Sequence, residues 1–383
     1  MTFSDEATSR PVPGHGERMA TRVAFFVVGV GYSMWAALVP YAKVRLGLDE
    51  ATLGLLLLCI GLGSLLAMPF TGPLTGRFGC RRLLFVSLPA TLVALPLLAM
   101  LESPWAMAAC LLVFGAAVGM ADVALNIQAV FVERGSGRAL MSGFHGFYSV
   151  GGFCGAGGMA LLLGAGLGPL ASAGVLCAGL FLLLCLYGGY FLPYGADGGT
   201  RMIAMPRGVV LLIGVLCFIM YLSEGTILDW GALFMSAERG TETASAGLAF
   251  ACFSIAMTLG RLFGDRVVQA FGDARVLLWG SLCGACGFGL TIFAPSAWLS
   301  FLGFGVVGLG VSNIVPVLLS ATARQTIMPL GLAVSAVTTI GYLGILAGPA
   351  LMGFVAHATS LAAIFIITLA LMLFVAAVSR FVP

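Results

Sequence analysis

The sequence predicts an all-α membrane protein in which twelve transmembrane helices form two six-helix bundles. Its composition is 60% hydrophobic and only 9% charged, whereas soluble domains are about a quarter charged. Apolar blocks near the length of a bilayer crossing recur along the chain, separated by short polar turns, which is the pattern of membrane-spanning helices. The two halves of the chain also repeat one pattern of residues, which indicates a duplicated unit.

The apolar blocks define the spans. A helix rises about 1.5 Å per residue, so about twenty apolar residues cross a bilayer. Each block is continuously apolar rather than alternating, and this favours helices over a β-barrel. The predicted spans lie near residues 20–42, 51–72, 82–101, 104–131, 141–163, 170–192, 208–234, 244–264, 275–294, 297–323, 331–355 and 360–380.

Basic residues predict the orientation of the spans. With the amino terminus inside, the other side of the membrane holds only Lys43, Arg45 and Arg239 of the 18 basic residues. Because cytoplasmic loops carry the excess of positive charge, we expect a multi-pass membrane protein with both termini in the cytoplasm. The net charge of +3 then reflects topology, so the expected partner is the lipid bilayer and not nucleic acid.

The repeat divides the chain near its centre. Tyr32 in the first span matches Tyr221 in the seventh, and Arg134 after the fourth span matches Arg324 after the tenth. Each match is weak alone, but their similar spacing in the same span order supports a duplication. We predict a disordered cytoplasmic tail at 1–18, an amino-terminal bundle at 19–192, a cytoplasmic linker at 193–207 and a carboxy-terminal bundle at 208–383.

The loop between the second and third spans reads Gly72-x3-Gly76-Arg77-x-Gly79-x-Arg81-Arg82. This pattern resembles the signature loop of the major facilitator superfamily. It departs from the usual pattern at Gly76, where the family has an aspartate, and at Cys80, where it has a basic residue; the second copy keeps an acid at Asp265. The resemblance implies two bundles that rock about a central site. The implied conformational-gating residues are Gly72, Gly76, Arg77, Gly79, Arg81, Gly260, Arg261, Asp265 and Arg266.

Two further stretches carry a second resemblance. One is Glu224-Gly225 followed by Asp229-Trp230, and the other contains Asn126, Gln128, Glu133, Arg138, Met141, Ser142, Phe144, His145 and Gly146. They resemble a bacterial branch of that superfamily, the YbjJ-like and MosC-like membrane proteins, which implies a location in the bacterial inner membrane.

Ionisable residues inside the spans are candidates for proton coupling. A carboxylate at the bilayer centre costs about 2.5–3.5 kcal/mol on insertion scales, so such residues usually face a polar cavity. Asp122 and Asn126 lie four residues apart and so share a helix face, and antiparallel spans four and five would bring Asn126 and His145 to similar depth. The alternatives are structural: Asp122 binds a neighbouring helix, and His145 anchors a helix end. We expect proton coupling from Asp122, His145, Glu224 and Asp229. The alternative for Asp229, which lies near a helix end, is that its side chain simply reaches water.

Aromatic and amide side chains are candidates for substrate binding. Aromatic rings with polar tips suit a sugar- or polyol-like solute, because they stack on its apolar face and bond its hydroxyl groups. The alternative is that Trp and Tyr lie in the interfacial belts of the membrane. The predicted substrate-binding residues are Tyr32, Trp35, Asn126, Tyr148, Tyr221, Trp230, Asn313 and Tyr342.

The sequence therefore predicts a secondary transporter rather than an enzyme or a primary pump. The sequence has three histidines and lacks His-Glu-x-x-His and Gly-x-Ser-x-Gly motifs, so it gives no support to membrane-embedded catalysis or to a metal site. Lys43 is the only lysine, so a phosphate-binding Gly-Lys-Ser/Thr loop is absent. We expect a monomer without cofactors that moves a small polar organic solute by proton-coupled alternating access. A proton-driven exporter of drugs or hydrophobic metabolites is the alternative, and a channel is a third reading.

Overall fold

The computed structural model describes residues 12–196 and 202–383, and all regular structure in these two ranges is helical. Eleven of the described helices are long and apolar enough to cross a membrane. The helices are α1 (His15–Leu46), α2 (Glu50–Met100), α3 (Pro104–Ser136), α4 (Met141–Gly164), α5 (Pro169–Tyr187), α6 (Val209–Arg239), α7 (Thr243–Ala246), α8 (Leu248–Phe271), α9 (Asp273–Phe293), α10 (Ala297–Val311), α11 (Ile314–Thr322), α12 (Leu330–Ala358) and α13 (Leu361–Val378).

Helix α2 contains two of the predicted spans. Its 51 residues are interrupted at Gly79, whose φ of 81° and ψ of 156° are not helical. Gly272 has almost the same angles, φ 79° and ψ 157°, between α8 and α9. A positive φ is accessible to glycine at little cost, so both halves turn at a glycine between their second and third spans. The structure has the twelve predicted spans if α2 counts as two spans, α10 and α11 count as one, and the four-residue α7 is left out.

The amino-terminal boundary differs from the prediction. α1 begins at His15, so the predicted tail at 1–18 is wrong over residues 15–18. The reason is local: the Glu17 side chain accepts a hydrogen bond of 2.7 Å from the Gly14 backbone N–H, which satisfies one of the donors that a helix start leaves free. The rest of the tail up to residue 11 lies outside the described residues, as do residues 197–201 of the predicted linker.

Helix packing follows the duplication. α1 packs on α4 in the first half, and α6 packs on α12 in the second, which pairs the first span with the fifth and the seventh with the eleventh. Between the halves, α2 packs on α12 and α4 packs on α8. The first interface joins spans two and eleven, and the second joins spans five and eight. Because the repeat relates span two to span eight and span five to span eleven, the two interfaces are equivalent, and the bundles meet across a pseudo-twofold axis.

Two arginines on the side with few basic residues have equivalent structural roles. Arg45 at the end of α1 donates to the carbonyl oxygens of Leu98 (2.7 Å), Ala99 and Leu101 at the end of α2. Arg239 at the end of α6 donates to the Thr291 carbonyl (3.1 Å) and to the Ile292 carbonyl at the end of α9. The last carbonyls of a helix lack intrahelical partners and favour cations. Each bundle thus secures the end of its third span with an arginine from its first.

Candidate functional site

Ionisable side chains from both bundles meet between the bundles. Asp122 (α3) belongs to the amino-terminal bundle, and Glu224 (α6) and Arg261 (α8) belong to the carboxy-terminal bundle. The Arg261 side chain is 8% exposed and the Glu224 side chain 27% exposed, and their closest atoms, Nη2 and Oε2, are 3.9 Å apart. Tyr221 of α6 lies within electrostatic range of all three of these groups.

A chain of hydrogen bonds leads from Asp122 to His145. The Asn126 side-chain amide donates to the Asp122 carbonyl oxygen (3.0 Å) and to its carboxylate (3.3 Å). The remaining amide oxygen of Asn126 lies 3.2 Å from His145 Nε2. Since that oxygen can only accept, this arrangement assigns a hydrogen to Nε2. The predicted proximity of Asn126 and His145 is confirmed, and the buried imidazole also packs on Phe25, with ring centroids 5.1 Å apart.

Arg261 connects the two bundles. Its Nη1 donates to the hydroxyl of Ser149 on α4 at 3.0 Å, and its Nε donates to the Ser312 carbonyl at 3.3 Å. The Ser149 hydroxyl in turn donates to the His145 carbonyl at 3.3 Å. A buried charge is costly unless it is paired and hydrogen-bonded, and these contacts meet that requirement for the guanidinium.

The four predicted tyrosines lie within electrostatic range of these ionisable groups or of one another. Tyr148 of α4 interacts electrostatically with Tyr32 of α1 and Tyr342 of α12, and also with Asp122 and Glu224. Tyr32 is 40% exposed although it lies in the middle of α1. The structure therefore brings aromatic side chains with hydroxyl tips from both bundles to the same place as the acids.

The remaining predicted site residues lie in other surroundings. Trp35 is buried, and its indole N–H has no hydrogen-bond partner among the described residues. The Trp230 ring packs close to Gly353 of α12. Asn313 lies at the break between α10 and α11, where its amide donates to the Gly260 carbonyl at 3.2 Å. Asp229 is exposed and interacts with Tyr32 across the bundles.

Three further polar contacts join the bundles at one end, which we call the closed end. The Gly72 N–H donates to the Ser335 hydroxyl at 2.8 Å, and the Gly143 N–H at the start of α4 donates to Asp265 at 2.9 Å. The third contact joins the Ser320 hydroxyl to the Glu133 carboxylate at 2.5 Å. The charge distribution of the sequence predicts that this end faces the cytoplasm.

The signature-loop residues have separate roles. Gly79 provides the turn, and Arg81 donates to the backbone carbonyls of Gly189 and Phe191, both at 2.7 Å, which fixes the chain after α5. Arg77 and Arg266 are exposed, as is Gly76. Gly79 and Arg81 also line a pocket of about 410 Å³, together with Gly76, Arg77, Phe78, Arg82, Pro193, Tyr194 and Gly195.

Comparison with known proteins identifies the family. A family model described as Major Facilitator Superfamily matches residues 23–202 and 213–383. The chain belongs to the major facilitator superfamily. An uncharacterised MFS-type transporter of Yersinia pestis is 50% identical over 369 residues, covering 96% of each chain. The membrane protein MosC of Rhizobium meliloti is 29% identical over 366 residues, covering 94% of this chain and 89% of MosC.

Solved structures of the superfamily share the fold of this transporter. The fucose:proton symporter FucP of E. coli superposes with a TM-score of 0.79, at 14% identity, over 96% of this chain and 98% of FucP. The proton:xylose symporter XylE superposes with a TM-score of 0.74, also at 14% identity, over 96% of this chain and 95% of XylE. Membership of the superfamily makes the protein a multi-pass membrane transporter, and its family is one of transporters rather than enzymes.

Several residues of the candidate site were missed by sequence reasoning. Ser149, Ser320 and Ser335 each contact the opposite bundle, but single serines in apolar helices carry no recognisable signal. The Glu133 carboxylate accepts hydrogen bonds from the backbone N–H groups of Leu140 and Met141, both at 2.8 Å, and so caps the start of α4. The signal for Glu133 was present, since it belongs to the stretch that resembles the bacterial branch.

Proposed function

We propose that the protein moves a small polar organic solute, sugar- or polyol-like, by alternating access, and that protons drive the movement. The observation that carries this proposal is the meeting of four tyrosines, two acids and one arginine between the bundles. Substrate sites of superfamily transporters lie near the midplane at the interface between the repeats. The polar contacts at the closed end define a route to a second conformation, namely separation of α2 from α12 and of α4 from α8.

The side chains of the site suit a hydroxylated solute. Tyr32, Tyr148, Tyr221 and Tyr342 combine apolar ring faces with hydroxyl groups that both donate and accept hydrogen bonds. Rings of this kind stack on the apolar face of a solute while a few polar groups fix its orientation. FucP and XylE, which share the fold, are by name symporters of the sugars fucose and xylose with protons.

Asp122 and Glu224 are the acids that we propose carry the proton. Ionisable residues within a membrane are rare, face a cavity and commonly form proton relays. Asp122 is bonded to Asn126, which contacts His145, whereas Glu224 faces Arg261 of its own bundle. His145 and Asp229 are further candidates, His145 through that chain and Asp229 through its position opposite Tyr32.

The remaining assignments belong to the same proposal. The distribution of basic residues supports an inner-membrane location with both termini in the cytoplasm. One chain contains both six-span units, and their site is complete within it, so we propose a monomer as the transporting unit.

The first experiment identifies the solute. Purified protein is screened by thermal shift against sugars, cyclitols, organic acids and cationic drugs. A ligand at a hundred times its Kd stabilises the folded state by about 2.7 kcal/mol, so a true ligand raises the melting temperature. Stabilisation by cationic drugs, with no response to sugars or cyclitols, would favour the exporter over the proposed function.

The second experiment tests proton coupling with that solute. Proteoliposomes are given an inward proton gradient, and uptake is compared with counterflow, which needs no net proton movement. We expect Asp122→Asn and Glu224→Gln to abolish gradient-driven accumulation. The matched control is Glu102→Gln, at an exposed acid between α2 and α3, which should behave as the unsubstituted protein. Full gradient coupling in both site variants would contradict the proposal.

A further inference from the structure

The guanidinium of Arg261 is shared unequally between the two bundles. Its hydrogen bond to the Ser149 hydroxyl, in the opposite bundle, is 3.0 Å long. Its distance to the Glu224 carboxylate, in its own bundle, is 3.9 Å. A hydrogen bond to oxygen is about 2.7–3.2 Å long, so Arg261 bonds the serine and only faces the acid. Glu224, whose carboxylate is the stronger electrostatic partner, therefore lies farther from Arg261 than the neutral Ser149 does.

The titratable groups around this contact come from both bundles. Glu224 interacts with Tyr221 on its own helix and with Tyr148 on α4, which also interacts with Asp122. Arg261 interacts with His145 on α4 and with Tyr221. Tyr342 on α12 interacts with Tyr148 and Asp122. Arg261 is the permanently charged cation of this group, so its position controls how the acids are compensated.

Only one of the three Arg261 partners moves with the opposite bundle. Ser149 lies on α4, which packs on α8 at the interface between the halves. Opening the closed end separates α4 from α8 and therefore breaks the bond between Ser149 and Arg261. Ser312 and Glu224 belong to the same bundle as Arg261, so the Ser312 carbonyl keeps its bond. The freed Nη1 then needs a new acceptor, and Glu224 is the adjacent carboxylate.

We propose that Ser149 and Glu224 exchange Arg261, so that opening the closed end transfers the guanidinium from the serine to the acid. This inference rests on the proposed proton coupling and supplies its link to conformation. A nearby cation favours the ionised form of a carboxylate. Transfer of Arg261 onto Glu224 thus favours release of a proton when the closed end opens, and return of Arg261 to Ser149 favours proton uptake when it closes. Arg261 and Ser149 are positioning residues in this scheme.

The test measures proton binding directly and needs no solute. Purified protein is titrated with acid, and the carboxyl C=O stretch of Glu224 is followed by infrared difference spectroscopy, with Glu224→Gln identifying the band. Ser149→Ala removes the competing acceptor, so Arg261 closes on Glu224 in every conformation. From the strength of a hydrogen bond to a charged group, we expect the midpoint to fall by about one pH unit, a tenfold change. Ser149→Thr keeps the hydroxyl and should restore the original midpoint.

A second variant tests the conformational link. Asp265→Ala removes the contact with the start of α4 and favours separation of α4 from α8. We expect its Glu224 midpoint to fall as well, and the double variant to fall no further than Ser149→Ala alone, because both changes release the same guanidinium. Equal midpoints in Ser149→Ala and the unsubstituted protein, or equal shifts in the Ala and Thr variants, would overturn the exchange.

The two proposals fail in different ways. If the midpoints shift as expected but no solute accumulates under a proton gradient, Arg261 exchange stands and proton-driven transport fails. If gradient-driven uptake is intact while Ser149→Ala leaves both the midpoint and the pH profile of uptake unchanged, transport stands and the exchange is wrong.

Discussion

Gly72→Ala is predicted to open the closed end. The Gly72 N–H bonds the Ser335 hydroxyl at 2.8 Å, and a Cβ added to Gly72 would overlap the Gly331 carbonyl. Because the obstructing atom belongs to the backbone of α12, it cannot rotate away, and α2 and α12 must separate. Overpacking costs about 1–3 kcal/mol, and weakening the hydrogen bond costs about 1 kcal/mol more.

The combined cost of about 2–4 kcal/mol applies to one conformation only, since the clash disappears once the bundles separate. At about 1.4 kcal/mol per factor of ten, the ratio of closed to open protein falls roughly 30-fold to 700-fold. Hydrogen–deuterium exchange of the first turns of α12 measures this change, because amides there become accessible when α2 moves away. We expect faster exchange near Ser335 in Gly72→Ala.

Gly54→Ala is the matched control on the same helix. A Cβ at Gly54 meets no described atom within 4 Å, so this substitution gives the same gain in helix propensity, at most about 1 kcal/mol, without the clash. The exchange of α12 should match that of the unsubstituted protein. Indistinguishable exchange in the Gly72 and Gly54 variants would refute the steric reasoning.

Three further predictions concern stability and the site. Arg45→Ala and Arg239→Ala should each lower the melting temperature, because each leaves helix-end carbonyls without a donor. Each lost partner should lower the free energy of unfolding by about 1–3 kcal/mol. A melting temperature unchanged in both variants would be inconsistent with this role. Gln128→Leu should destabilise by about 1–3 kcal/mol, since Gln128 bonds the Thr21 hydroxyl (3.0 Å) and the Leu192 N–H (3.1 Å); chemical denaturation checks this. Asn126→Ala should alter the nitrogen chemical shifts of His145, whereas Asn126→Asp, which retains an acceptor for Nε2–H, should preserve that hydrogen bond.

The membrane spans were predictable because a bilayer forces each crossing to be long, apolar and helical. Their ends depended on single contacts that hydropathy does not register. α1 starts at His15 because the Glu17 side chain bonds the Gly14 N–H. The second span, within α2, ends at Gly79, and the eighth span, α8, ends at Gly272, because both glycines adopt a positive φ. The matching Phe-Gly pairs at 78–79 and 271–272 were the available signal for the second turn.

The site was predictable where residues share one helix face or carry a charge in an apolar span. Asp122 and Asn126 met the first condition, and Glu224 the second. Contacts between helices from different bundles depend on tertiary packing, so the pairing of Arg261 with Ser149 had no counterpart in the sequence. The structure also explains part of the stretch that resembles the bacterial branch, since Gln128 and Glu133 bind backbone groups at the ends of neighbouring elements.

The two interfaces between the bundles are related by the repeat but differ in chemistry. Between α2 and α12, Gly72 faces the Gly331 backbone and bonds Ser335, and the first signature loop has Gly76 where the second has Asp265. Between α4 and α8, Asp265 and Arg261 are charged groups that bond the opposite bundle. Backbone contacts between glycines do not respond to protonation, whereas carboxylates and their partners do. A proton-driven change should therefore begin at the α4–α8 interface. Because the first signature loop has Gly76 in place of an acid, the sensitivity to protonation is confined to that side of the molecule.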